Sequence, residues 1–169
     1  VGGLRSARGS LSAADAAELL QTADESLAGL STLVTDLLDV SRVQADALAV
    51  ATARIDPAEA IAPALDELAL GPGSLELDLC HEDAQVLADP VLLQRVVANL
   101  LANASRFSPA GSRVLLATST FGDRVEIRVI DHGPGVDESR REDIFLPFQR
   151  LGDTDNTTGL GLGLALSRG

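Results

Sequence analysis

Two asparagines stand four residues apart in Asn99-Leu100-Leu101-Ala102-Asn103-Ala104-Ser105-Arg106-Phe107. On a helix that spacing stacks both amides on one face, a turn apart. Asn is a mediocre helix former, and a buried amide must find partners or cost free energy. An apolar helix with two aligned amides is therefore built around a polar network or faces a ligand. Two Gly-rich runs lie downstream. In Asp131-His132-Gly133-Pro134-Gly135 the Asp can accept a hydrogen bond from an amine, and the glycines let the backbone come close to a ligand. Gly159-Leu160-Gly161-Leu162-Gly163 opens a helix, where N–H groups with no Cβ in the way can meet an anion. The run is no P-loop, because the Gly-Lys-Ser/Thr ending is absent, and no strand leads into it within a βαβ unit. Singly, each feature also suits a bland reading: a core amide pair, a tight turn, a Gly-rich helix start.

The elements that must position these residues can be read from periodicity. From Leu11 to about Ala47 there is no Pro, and Gly29 is the one Gly. Ala16, Leu20, Ala23, Leu27, Leu30, Val34 and Leu37 alternate in steps of four and three, the seam of a bundle helix, and Ser10 or Ser12 can cap it. One helix cannot bury that seam; it needs a preceding helix, a second copy or its own domain as cover. A linker then runs into a strand ending near Ile55. Asp56-Pro57 opens a helix to about Leu70, and Asp89-Pro90 repeats the signal for the helix that carries both asparagines. Leu75–Leu79 alternates as a half-buried strand, and Gln85–Leu87 is a candidate short one. The runs 113–120 and 124–130, separated by Gly122-Asp123, read as a hairpin. Phe145 and Phe148 flank Pro147 before a polar, aperiodic stretch, as core plugs or as the anchor of a loop. The expected fold is a helical segment followed by an α+β domain with an antiparallel sheet.

The chain has 169 residues, a net charge of −12 and no lysine, which disfavours nucleic-acid binding through a basic surface. Any phosphate must be met by backbone N–H groups, a few arginines or a metal. With aromatics at only 2%, Leu, Val, Ile and Ala must build the core. A single cysteine, Cys80, excludes an intrachain disulfide and fits a reducing compartment; beside apolar residues it reads as a small core side chain. No apolar run reaches the length of a membrane span. The absence of an initiator Met before Val1 reads as a piece of something longer.

Taken in order, the Asn helix, Asp-x-Gly-x-Gly, Phe-x-x-Phe, polar stretch and Gly-x-Gly-x-Gly resemble the ATP-binding domain shared by sensor histidine kinases, type II topoisomerases, Hsp90-like chaperones and mismatch-repair ATPases. Asp36-Leu-Leu-Asp-Val-Ser-Arg42 resembles the exit of the second dimerisation helix of the histidine kinases, with Asp46 where Gly is common. Pro147-Phe-Gln-Arg-Leu151 and Phe107-Ser-Pro-Ala-Gly111 look most like the potassium-responsive KdpD-type kinases. The resemblance implies a two-layer α/β sandwich of the Bergerat type with a mixed, mostly antiparallel sheet, preceded by a long bundle helix. It divides the chain into a partial dimerisation segment, 1–50, and an ATP-binding domain, 51–169, whose family fold continues into further strands beyond Gly169.

Residue by residue, the resemblance implies that Asn103 holds Mg²⁺ and that Asn99 lines the phosphate site. Arg106 would neutralise phosphate charge, with Arg150 as a further phosphate contact. Phe107 would stand near adenine, and Asp131 would accept the adenine amino group in a pocket shaped by Gly133 and Gly135. Residues 149–158 would cover ATP, and Gly159, Gly161 and Gly163, with Leu160 and Leu162 between them, would bring N–H groups to the phosphates. Leu160 departs from the common Thr or Ser. The implied cofactors are ATP and Mg²⁺. The implied partners are a response regulator and a second copy through the bundle, with no nucleic acid and no membrane insertion by this segment. The implied setting is a cytoplasmic portion of a plasma-membrane sensor in potassium or osmotic signalling.

The two histidines, His81 and His132, both fall off the bundle helix, so the phosphoacceptor is expected outside this chain. ATPases of the superfamily carry Glu one turn before the Mg²⁺ Asn; the amide of Asn99 cannot act as a general base there, which favours kinase over hydrolase. A serine kinase of the anti-sigma type and a non-catalytic dimerisation scaffold are the alternatives.

Overall fold

A computed structural model describes residues 12–44, 49–79, 84–149 and 161–168. The first helix, α1 (Ala13–Gln44), begins at a reciprocal cap. The Asp15 amide donates to Ser12 Oγ, and the Ser12 amide donates to Asp15 Oδ2, each at 3.1 Å. Thr22, Ser26, Thr35 and Ser41 turn their hydroxyls back onto carbonyls one turn earlier, so they satisfy themselves without a tertiary partner. The seam stays open: Leu20, Leu30, Val34 and Leu37 are exposed, and Leu27 is 65% exposed. Among its described side chains α1 buries one apolar residue, Val40, near its C-terminal end.

Strand β1 (Ala53–Ile55) leads into α2 (Pro57–Glu67). The expected cap is present: Asp56 accepts from the Ala58 amide, Glu59 accepts from the Asp56 amide, and Pro57 fills the first turn. After β2 (Leu75–Asp78) and β3 (Val86–Ala88), helix α3 (Pro90–Phe107) runs between Asp89 and Ser108. Strands β4 (Val114–Phe121) and β5 (Arg124–Ile130) form the hairpin, and Gly122 at φ +64° supplies the left-handed residue of its two-residue turn. Two short 3₁₀ turns, Glu138–Arg140 and Asp143–Phe145, precede α4 (Gly163–Arg168).

The helices α2 and α3 lie on the sheet, and the core forms between the layers. Ile61 and Ala64 meet Val97, Ala98, Leu101 and Ala104, and both sets meet Leu75, Val114 and Leu116. On β5, Ile127 and Val129 close the same core while the intervening residues face outward. The sheet departs from a plain antiparallel arrangement. Strand β2 pairs with β4 in parallel, Leu75 opposite Val114, and β4 pairs with β5 antiparallel. Strands β1 and β3 form a separate antiparallel pair. Alternation of apolar residues reports which face a strand buries and not its direction. The parallel pair follows from the crossover through α3, which returns the chain to the same edge. Among the described residues no helix is long and apolar enough to cross a membrane.

Candidate functional site

Helix α3 is the frame of the site, and its N-terminus is fixed by one carboxylate. Asp89 Oδ1 accepts from the Val91 and Leu92 amides at 3.0 and 3.2 Å, and Oδ2 accepts from the Ala51 amide at 2.8 Å. The Ala51 bond first, then the Leu92 bond, hold the Asp89 carboxyl below its ordinary range; desolvation opposes them, and the Val91 bond adds a smaller lowering effect. A carboxyl lowered in the folded state stabilises the fold above its unfolded pKa and loses that contribution as pH falls through the folded value. The melting temperature of Asp89→Asn is therefore expected below that of the parent by a constant gap above about pH 5, and the gap should shrink below about pH 4. Asp137, held low by the Ser139 hydroxyl and amide, is common to both proteins and cancels in the difference. A gap that stays the same from pH 6 to pH 3 would contradict this account.

Midway along α3, the Asn99 Nδ2 donates to the Gly163 carbonyl at 3.2 Å, across 64 residues of sequence. The same carbonyl accepts from Ser167 Oγ at 2.9 Å. An added Cβ on Gly163 would stand 3.2 Å from Asn99 Oδ1, so the helix start and the amide are in close contact. One turn later Asn103 is half-buried, and its amide makes no hydrogen bond to a described residue. The sequence prediction of two stacked amides is thus met with two different environments. One amide ties α3 to the Gly-rich segment, and the next bonds no described residue.

The C-terminal end of α3 meets the Asp131 turn. The His132 amide donates to Ser108 Oγ at 3.4 Å, and Asp131 Oδ1 accepts from the Gly133 amide at 2.7 Å. A Cβ on Gly133 would stand 2.8 Å from Asp131 Oδ1 and 2.9 Å from the Phe107 carbonyl, so only Gly fits there. Gly135 adopts φ +73° with open space around it. Asp131 is exposed at this turn, Phe107 is partly exposed, and the Arg106 guanidinium lies 5.0 Å from the Phe107 ring centroid.

The Gly-rich segment is held from the other side by residues that the sequence patterns do not single out. The Phe148 amide donates to the Gly161 carbonyl at 3.1 Å. Phe148 takes φ +65°, a conformation rare for an aromatic residue, and is itself mostly exposed rather than a core plug. Gly161, at φ +70°, lies so close to the Gln149 backbone that a Cβ would meet its carbonyl oxygen at 2.5 Å. Arg168 pairs with Glu142 at 2.6 Å and lies 5.1 Å from the half-buried Phe145 ring. Leu162 is buried, so any contact it makes with a ligand is through its backbone. No periodic signal marks Ser108, Glu142 or Arg168, because each acts across a tertiary contact; only the position of Ser108 just past a helix end hints at a role.

Asn99 and Gly163 therefore meet at the middle of α3, Gly161 lies against Phe148 and Gln149, and Phe107, Asp131 and Gly133 gather at the end of α3. Arg150, Gly159, Leu160, His81 and Cys80 lie outside the described residues. Among the described residues no group of three or more His, Cys, Asp or Glu is assembled. A shallow cleft lined by Asp56, Pro57, Ile61, Thr118, Thr120 and Val125 sits at the start of α2 and shares no residue with this site.

The histidine kinase-, DNA gyrase B- and HSP90-like ATPase family matches residues 88–169. The chain is 62% identical over 142 residues to the sensor protein KdpD of Rathayibacter rathayi, covering 84% of the chain and 16% of that protein. It is 41% identical to the sensor protein KdpD of Mycobacterium tuberculosis, over the whole chain and 20% of that protein. The chain thus spans a fifth or less of the curated relatives it matches here. Among solved structures, full-length ShkA in complex with AMPPNP is similar with a TM-score of 0.67 and 31% identity, over 94% of this chain and 34% of that one. The mycobacterial sensor histidine kinase MprB is similar with a TM-score of 0.59 and 29% identity, over 70% of this chain and 76% of that one.

Proposed function

The chain belongs to the sensor histidine kinases, within the histidine kinase-, DNA gyrase B- and HSP90-like ATPases, and from that premise we propose that it binds MgATP and donates the γ-phosphoryl group to a histidine outside this chain, for relay to a response-regulator aspartate. Residues 1–50 are the bundle part and 51–169 the ATP-binding part. The observation that carries the reading is the convergence of distant boxes on α3: Asn99 on Gly163, and Phe107–Ser108 on the Asp131–Gly133 turn. One helix so tied spans the phosphate end and the base end of a nucleotide. A triphosphate on an acidic chain without lysine needs counter-charge from a cation and few arginines.

In this reading the Asn103 carbonyl oxygen would be the protein ligand to Mg²⁺; its amide bonds no described residue, and the lack of a carboxylate cluster among the described residues fits a cation that takes few protein ligands. The bound cation would offset phosphate charge. Asp131 Oδ1 is engaged by the Gly133 amide, which leaves Oδ2 to accept the adenine amino group. Gly133 keeps the pocket free of a Cβ atom, Gly135 supplies the left-handed turn after it, and Phe107 stands beside the base. Arg106 and the N–H groups of Gly161 and Gly163 would meet the phosphates, and Arg150, Gly159 and Leu160, outside the described residues, keep the phosphate roles that the family pattern gives them. Phosphoryl transfer asks the protein mainly for position and charge compensation, which these groups supply. Asn99, occupied with the Gly163 carbonyl and unable to take a proton, provides no base for water. The family membership favours this reading over the serine-kinase and scaffold alternatives.

Calorimetric titration of the 169-residue chain with ATP is expected to show binding that tightens with excess Mg²⁺. Incubation with γ-labelled ATP is expected to leave no acid-labile phosphohistidine, because neither His81 nor His132 is on the bundle helix. Failure to bind ATP in excess Mg²⁺, or phosphohistidine on the chain, would overturn the assignment.

A further inference from the structure

Helix α1 is exposed along most of its length, yet its C-terminal end is fastened to the nucleotide-binding frame. Asp39 pairs with Arg95 of α3, 56 residues away, and the Arg42 guanidinium approaches its other carboxylate oxygen at 3.3 Å. The Asp39 side chain is only 13% exposed and that of Arg95 28%. The pair is therefore sheltered enough to escape most of the screening that makes surface ion pairs nearly worthless. Beside it, Val40 is the one buried apolar residue among the described side chains of α1, and α1 also packs against α4. A second tether runs in parallel: the Ala51 amide, just past α1, donates to Asp89 at the start of α3.

Arg95 lies four residues before Asn99 and eight before Asn103, on the face of α3 that carries both amides. We propose that the Asp39–Arg95 pair is a latch that fixes the bundle helix against the ATP-binding unit, which makes Arg95 a positioning residue for phosphoryl transfer. The pair joins the bundle helix to the helix that carries the nucleotide face. Their relative angle decides whether a γ-phosphoryl group can reach a histidine carried with the bundle. A planar guanidinium gripping a carboxylate across that joint sets the angle more narrowly than an apolar contact, because its hydrogen bonds are directional. Removing either charge takes away the ion pair that crosses the joint, so the distance across it should vary more widely. This inference rests on the nucleotide reading for its consequence, though not for the latch itself.

The test measures the angle without nucleotide. In a Cys80→Ser background, spin labels at Ser26→Cys on α1 and Asp123→Cys on the hairpin report one distance distribution, with unlabelled chain added to dilute pairs between copies. Asp39→Arg and Arg95→Asp are each expected to broaden it, and the double exchange is expected to restore the parental width. Asp39→Asn, which keeps shape and removes only charge, is the second variant should an exchange unfold the chain, and it too should broaden the distribution. ATP affinity of Asp39→Asn should stay within about twofold of the parent, since Asp39 is on α1 and not on the nucleotide face. A parental distribution in Asp39→Asn, or a double exchange no narrower than the single ones, would overturn the latch. A parent that binds no ATP would instead sink the proposed function while leaving the distance measurement readable.

Discussion

Asn103→Ala is expected to abolish the Mg²⁺-dependent part of ATP affinity, by about 100-fold or more, while the chain stays folded. The first half of the expectation follows from chemistry. A divalent cation on this face has no carboxylate cluster to rest on among the described residues, so a single amide oxygen carries the protein's share of its coordination. Losing that oxygen frees the cation and leaves the triphosphate against a chain of net charge −12. The second half follows from the local structure. Asn103 makes no hydrogen bond to a described residue, and Ala is the better helix former, so α3 loses no tie and gains propensity. Asn99→Ala separates the two amides. It removes the bond to the Gly163 carbonyl and should loosen α4 with or without Mg²⁺. Titration with ATP in Mg²⁺ and in EDTA distinguishes them: a variant at Asn103 that keeps its Mg²⁺ dependence would refute the assignment.

The elements of this fold were legible where local chemistry decides them. Asp56-Pro57 and Asp89-Pro90 announce two helix starts because a side-chain carboxylate meets orphan amides and Pro has none to lose. Gly122-Asp123 announces the hairpin because a two-residue turn needs a left-handed residue. The parallel pairing of β2 with β4 was not legible, since Leu75–Asp78 alternates in the same way whichever direction its neighbour runs. The candidate site was legible in its parts and in their order. The ties that assemble it were not: Asn99 with Gly163, Ser108 with His132, and Asp39 with Arg95 join residues 24 to 64 positions apart. Each is one hydrogen bond or ion pair, without a period to betray it. Phe148 shows the limit most plainly. Its place beside Pro147 suits a core plug or the anchor of a loop, and the ring proves mostly exposed on a left-handed backbone.

Gly133→Ala is expected to lower ATP affinity at least about tenfold, although it adds only one methyl group. Two atoms block that methyl. Asp131 Oδ1 would be 2.8 Å away and the Phe107 carbonyl oxygen 2.9 Å, both inside van der Waals contact. The carboxylate can rotate away only by giving up the bond from the Gly133 amide, which is what orients it. The carbonyl belongs to the last turn of α3 and can move only if the helix end moves with it. Either response displaces Asp131 relative to α3, and so separates the base end of the site from the phosphate end. Gly135 is the control. It adopts φ +73° in open space, so Gly135→Asn, a residue that tolerates the left-handed region, should bind ATP within about threefold of the parent. Because Asp131 is exposed and the turn lies outside the core cluster, the melting temperature of Gly133→Ala should fall far less than its affinity does. Equal affinities for Gly133→Ala and the parent would show that Asp131 does not read the base, and would move adenine recognition elsewhere on the domain.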